Sequence, residues 1–118
     1  MYSPELLDHF EHPRNAGELA DATARQRIEN PACGDILELA VKVVDGRVED
    51  IRFRAKGCVP AMACASVVTM LAKGNSVGEV RAVRKEDVIR AVGGLPAASG
   101  HAAQLAIDAL QAVMDAQK

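Results

Sequence analysis

Apolar and polar positions alternate through residues 36–44 and again through 47–56, and Asp45-Gly46 joins the two runs. Alternation with period two marks a half-buried strand, and Asp-Gly is the strongest short-range hairpin signal. The pattern therefore predicts a hairpin of Ile36–Val44 with Arg47–Lys56. A two-residue loop pairs Val44 with Arg47 and Val43 with Val48. Continued without interruption, that register sets Leu39 against Arg52 and Leu37 against Arg54, an apolar face against a basic one. Register follows the buried face, so one extra residue near Glu49-Asp50, a β-bulge, is expected. Val41 then meets Ile51, Leu39 meets Phe53 and Leu37 meets Ala55. The same register puts Asp35 opposite Gly57 and Gly34 opposite Cys58.

Elsewhere the period is helical. Ser3-Pro4 supplies a capping hydroxyl and then proline at the first helical position. Leu6, Leu7 and Phe10 read as that helix's apolar stripe, and His12-Pro13 ends it. Residues 17–30 read as extended, with Arg25-Gln26-Arg27-Ile28 a candidate edge strand. Pro60 opens a helix to residue 73, stopped by Gly74. Apart from Cys64, only Ser66 and Thr69 break its apolar run, so most of its circumference should be buried. Ser76-Val77-Gly78-Glu79 has the form of a capping box that starts a short helix. Residues 83–92 read as another, ended by Gly93-Gly94. Residues 95–100 read as a loop, and the last helix spans 101–117 with Ser99 as candidate cap. Its stripe is Ala103, Ala106, Ile107, Leu110, Val113 and Met114. The order of helix, strands, then helices, without repeats, predicts an α+β fold. In it a small, mostly antiparallel sheet (the hairpin plus the edge strand) carries helices on one face.

Composition narrows this picture. A chain of 118 residues suits a single domain over 1–118 with one core. Aromatic residues make up 3% and Trp is missing, so the core rests on Val, Leu, Ile, Ala and Met. A net charge of −2 offers no electrostatic case for nucleic acid, and there is no aromatic platform for single strands. The first residues lack the basic and apolar regions of a signal peptide. The most apolar run, 59–72, is shorter than the roughly 20 residues that cross a bilayer. No membrane association is expected. Three cysteines are an odd, sparse set for a secreted disulfide scaffold, so a cytoplasmic location with reduced thiols is expected.

The candidate chemistry lies at one end of the hairpin. Cys33, in Asn30-Pro31-Ala32-Cys33-Gly34-Asp35, precedes the first strand, and Cys58, in Lys56-Gly57-Cys58, follows the second. Both flank glycine at strand ends, where loops carry function. We read them as thiolate ligands or sulfur acceptors, against the alternative of two small buried hydrophobes. Asp35 is either a hard carboxylate ligand or a polar strand-start residue paired with Lys56. Cys64 is either an inert core thiol or a candidate additional thiol for the site, less than two helical turns from Cys58. A cysteine-nucleophile or thiol-redox enzyme is disfavoured, since there is no C-x-x-C motif and no clear oxyanion loop.

These residues resemble the NifU/IscU-type iron–sulfur cluster assembly scaffolds over nearly the whole chain. The likeness is carried by Tyr2-Ser3, by Asp8-His9-Phe10-Glu11-His12-Pro13-Arg14-Asn15 and by Asn30-Pro31-Ala32-Cys33-Gly34-Asp35. It continues through Val48-Glu49-Asp50-Ile51-Arg52-Phe53, Lys56-Gly57-Cys58, Val68-Thr69 and Lys73-Gly74. The resemblance implies an α+β scaffold that is not an enzyme in the turnover sense. It implies a transient [2Fe–2S] cluster, with zinc or iron as other occupants, held by Cys33, Asp35, Cys58 and His101. The partners it implies are a cysteine desulfurase and iron–sulfur acceptor proteins, and the chain is expected as a monomer or weak homo-oligomer. Two departures stand out. The family's third site cysteine directly follows the histidine, where this chain has Ala102. The chaperone-recognised Leu-Pro-Pro-Val-Lys segment is here Leu95-Pro96-Ala97-Ala98-Ser99, so recognition by an Hsp70-type chaperone is not expected. Both departures keep an alternative open: a degenerate paralogue that binds zinc or iron, or a desulfurase partner, without building a cluster.

Overall fold

The computed structural model describes residues 2–31 and 34–117. Its elements are α1 (Pro4–Glu11), β1 (Ala24–Glu29), β2 (Ile36–Val44), β3 (Arg47–Lys56), α2 (Val59–Ala72), α3 (Val77–Arg81), α4 (Lys85–Ala91) and α5 (Gly100–Ala116). The strands form an antiparallel sheet in the order β1-β2-β3. The expected bulge is present. Val43 pairs with Val48 and Lys42 with Asp50, leaving Glu49 as the extra residue, and beyond it Val41 meets Ile51, Leu39 meets Phe53 and Leu37 meets Ala55. Leu37, Leu39, Val41, Val48, Ile51 and Phe53 thus share one buried face.

That face is covered by α2, which lies against β3, and by α5, which lies against β1 and β2; the two helices also pack on each other. Most of α2 between Pro60 and Ala72 is buried, with Met70 exposed and Met62 and Leu71 half-buried. Its two interior hydroxyls have a purpose. Ser66 Oγ accepts from the Arg14 amide at 2.9 Å and lies 2.8 Å from His9 Nδ1. Thr69 Oγ1 donates to the Ser66 carbonyl at 2.7 Å and receives Asn15 Nδ2 at 3.3 Å. These bonds hold the turn after α1, which then runs along the open edge of β3. The Phe53 amide donates to Asn15 O, and the Gly17 amide donates to Phe53 O, each at 2.9 Å. This cover on the sheet edge has no signal in the strand pattern.

Three local expectations need correction. In α1 the buried residues are Leu6 and His9, whereas Leu7 and Phe10 are exposed. The Ser66 hydroxyl draws the histidine inward and so rotates the helix away from the purely apolar stripe. Residues 95–100 are not all loop, since Ala97–Ser99 form a 3-10 turn that feeds α5 at Gly100. Ser99 therefore lies at φ −105° and ψ 7°, away from the extended backbone of a cap, and its side chain makes no capping bond. Pro60 is the second rather than the first residue of its helix. The caps at Ser3 and Ser76 are as expected, the latter as a complete capping box with Glu79.

Candidate metal centre

Three chain segments meet at the end of the sheet where β3 enters α2. Asp35 comes from the turn before β2. The Gly34 amide donates to the Asn30 carbonyl at 2.7 Å, with Gly34 at φ +75°, a left-handed conformation that glycine adopts at no steric penalty. Cys58 is the N-cap residue of α2, extended at φ −71° and ψ 165°. His101 is the second residue of α5. Two helix N-termini, with their exposed N–H groups and partial positive charge, are thus turned toward one carboxylate and one sulfur.

Asp35 is the buried member of the group, at 5% exposure. Its Oδ1 accepts the Cys58 backbone N–H at 3.3 Å, and its Oδ2 lies 3.4 Å from Cys58 Sγ. His101 Nε2 is 3.7 Å from the same Oδ2 and 3.9 Å from the sulfur. The carboxylate comes this close because residue 57 is glycine: a Cβ there would stand 2.5 Å from Oδ1. Asp35 therefore sits with the thiol and the imidazole, and the alternative pairing with Lys56 is not made. Cys58 is exposed, which rules out the inert buried reading for it. The three side chains line an open cleft with Tyr2, Gly34, Lys56, Gly57, Pro60 and Ser99.

The donor set fits a metal. One sulfur, one nitrogen and one carboxylate oxygen all lie within 4.8 Å of one another. Tetrahedral bonds of about 2.0 to 2.3 Å put neighbouring donor atoms roughly 3.3 to 3.8 Å apart. The observed separations of 3.4, 3.7 and 3.9 Å need only slight closure around a shared ion. An S/N/O donor set suits zinc or iron better than the all-oxygen sites of calcium or magnesium.

The remaining cysteines stand differently. Cys33 lies outside the described residues. Cys64 is fully buried in the α2 core, and desolvation, with the neighbouring Cys58 as a lesser cause, pushes its thiol up to about 12. It is not among the converging donors, and a protonated, water-excluded thiol is a poor ligand. Of the two readings of Cys64, its burial favours the core thiol. Ala102 is also fully buried. His9 was overlooked as a structural group. Burial, with Arg14 nearby, lowers its pKa, and Asp8 opposes this in part. The HPRN run following it was the one available hint.

Comparison with known proteins bears on the family and the fold. The family model of the NifU-like N terminal domain matches residues 1–118. The protein named iron-sulfur cluster assembly scaffold protein IscU 1 of Archaeoglobus fulgidus is 42% identical over 98% of this chain and 76% of its own length. The IscU scaffold protein of Escherichia coli K12 is 38% identical over 96% of this chain and 91% of its own. Among solved structures, a nitrogen-fixing NifU-like protein (N-terminal) from Brucella abortus superposes with a TM-score of 0.67 at 21% identity, over 97% of this chain and 87% of that one. A candidate SUF-system iron–sulfur cluster assembly scaffold from Fervidobacterium islandicum AW-1 reaches 0.78 at 15% identity, over 96% of both chains, and speaks to the fold alone. On the full-length family match and the identity to these relatives, the chain belongs to the NifU-like N-terminal domain family.

Proposed function

We propose that this chain is an iron–sulfur scaffold that gathers iron and sulfur into a [2Fe–2S] cluster on Cys33, Cys58, Asp35 and His101 and hands it to acceptor proteins. The observation that supports this most directly is the convergence of Cys58, Asp35 and His101 at ligand spacing in an open cleft. Cys58 contributes the accessible sulfur at the N-terminus of α2, and gives up its proton on binding the metal. His101 contributes a nitrogen, as histidine does on one iron of Rieske centres. Asp35 contributes a hard oxygen to an otherwise soft site, a mismatch that weakens retention and so favours release. Sulfur comes from a cysteine desulfurase, and the chain acts stoichiometrically, as a carrier.

A second reading has its own support. With Ala102 where the family has cysteine and Cys64 sealed in the core, Cys33 and Cys58 are the two thiols left for the site. Four ligands of S2NO type satisfy tetrahedral zinc, so the chain would then hold zinc or iron without sulfide. Anaerobic reconstitution with iron and sulfide, on wild type beside Cys58→Ala, separates the two. Comparable iron and acid-labile sulfide in wild type, lost in the variant, is the expected result. Metal retained without sulfide would assign the chain to the second reading.

A further inference from the structure

The outer face of the sheet, opposite the core, carries a cluster of cations next to the candidate metal centre although the chain as a whole carries −2. The register arranges this face in three rows across β1, β2 and β3: Arg25-Ala40-Arg52, Arg27-Glu38-Arg54 and Glu29-Ile36-Lys56. Five cations face two carboxylates. Most of these charges are spoken for. Arg25 lies 3.7 Å from Glu38, Arg54 pairs with Glu18 at 2.8 Å and Arg52 with Asp50 at 3.3 Å. Arg27 and Lys56 are exposed and have no ion pair among the described residues. Both line one shallow cleft with Ile36, Glu38, Arg54 and Ala55, about 320 Å³ in volume. The third row also ends beside the metal centre, because Lys56 is two residues from Cys58 and lines its cleft too.

We propose that this face docks the acidic surface of a protein that receives cluster from the adjacent site, with Arg27 and Lys56 as its two uncommitted anchors. The proposal rests on the scaffold reading for the partner's role, but not for the surface itself. Charge complementarity selects an acidic occupant, because unpaired surface cations in a shared cleft steer and orient an anionic partner. The same grid disfavours a nucleic acid. Glu38 sits in the centre of the face, where a phosphate backbone would meet it, and no aromatic side chain is present to stack on bases. The half-buried Ile36 and buried Ala40 give the centre an apolar floor, as protein interfaces have. A partner seated there reaches the Cys58 side of the metal centre without crossing a helix.

The test uses an acidic plant-type apo-ferredoxin as probe against the whole chain. Binding is followed by calorimetry and by amide shifts on the labelled chain. Arg27→Glu/Lys56→Glu and the milder Arg27→Gln/Lys56→Gln are compared with wild type, with circular dichroism confirming that both variants fold. We expect binding that weakens steadily with salt, shifts on the outward residues of β1, β2 and β3, and at least tenfold weaker binding in the reversed pair. Cluster transfer to the ferredoxin should slow in parallel, while in Arg27→Glu alone, outside the metal cleft, cluster loss to a small chelator stays unchanged. Binding indifferent to both variants overturns the proposal. So do shifts confined to the helices, tighter charge-dependent binding of a single-stranded oligonucleotide, or a dimer of this chain that the reversed pair dissociates. Charge-dependent ferredoxin binding by a chain that retains no sulfide would keep the surface and remove the scaffold reading instead.

Discussion

Gly57 is the residue on which the candidate metal centre turns. It carries no chemistry, yet the Asp35 carboxylate occupies the space a Cβ would fill, with Oδ1 only 2.5 Å from that position. Gly57→Ala should push the carboxylate away from Cys58 and His101 while leaving the fold intact, since the obstructing atoms belong to a side chain that can swing. A loss of roughly 10- to 100-fold in zinc affinity is expected, the usual effect of disturbing the groups that position a metal ligand. Competition with a chromophoric chelator reads it directly, and an unchanged affinity would remove Asp35 from the ligand set. His9 makes a different kind of statement. Ser66 Oγ accepts from the Arg14 amide and lies 2.8 Å from His9 Nδ1, a contact that the neutral ring satisfies in either tautomer. Burial, then Arg14, lowers the folded pKa, with Asp8 opposing. The unfolded chain therefore takes up the proton first, near pH 6.5. Stability present above that value is lost as pH falls through it toward the depressed folded value. Urea midpoints measured from pH 7.5 to 5.5 should decline in wild type and decline less in His9→Asn.

At the scale of the element, the hairpin shows why a bulge can be read from sequence. The apolar residues of β2 and β3 agree in phase only if Glu49 is skipped, and the ladder skips it. Deleting Glu49 removes only the extra residue, so Lys42 still meets Asp50, Val41 still meets Ile51, and Ile51 and Phe53 stay inward in one unbroken ladder. The deletion should keep cooperative urea unfolding, and its loss would mean that the bulge does more than restore phase. Glu49→Ala keeps the residue count, removes one exposed contact with Lys42, and should shift the midpoint little. Strands were legible because their faces differ sharply in polarity. The α1 stripe was not, because its inward position is filled by a histidine whose partner, Ser66, lies 57 residues away. Nor was the cover on β3, since Asn15 and Gly17 join the sheet through backbone bonds that no side-chain pattern records. Ser99 has the composition of a cap, but the 3-10 turn ahead of α5 sets its backbone otherwise.

Across the whole molecule, the candidate metal centre is a joint between parts of the fold that local pattern could only half assemble. Hairpin register alone put Asp35 beside the Gly57-Cys58 corner. The arrival of His101 depends on how α5 crosses the sheet, and only the family likeness pointed to it. Cys64, near Cys58 in sequence, is separated from the centre by helix geometry that turns it into the core. Asp35, Cys58 and His101 lie far apart along the chain and converge only when β2, α2 and α5 are all packed. An ion bound there ties the start of α5 to the end of the sheet and has little reason to bind the unfolded chain with comparable strength. Its binding free energy is then folding free energy. With free zinc at about 100 times the dissociation constant, the stabilisation is about 2.7 kcal/mol, which for a domain of this size raises Tm by roughly 10 °C. Differential scanning calorimetry with and without zinc should show that rise in wild type. Cys58→Ala should lose it while melting close to the zinc-free wild type, because the exposed sulfur contributes little to the core. A rise that survives in Cys58→Ala would mean that zinc stabilises the fold from another place, and the convergence of the three side chains would then lose its claim to be the metal centre.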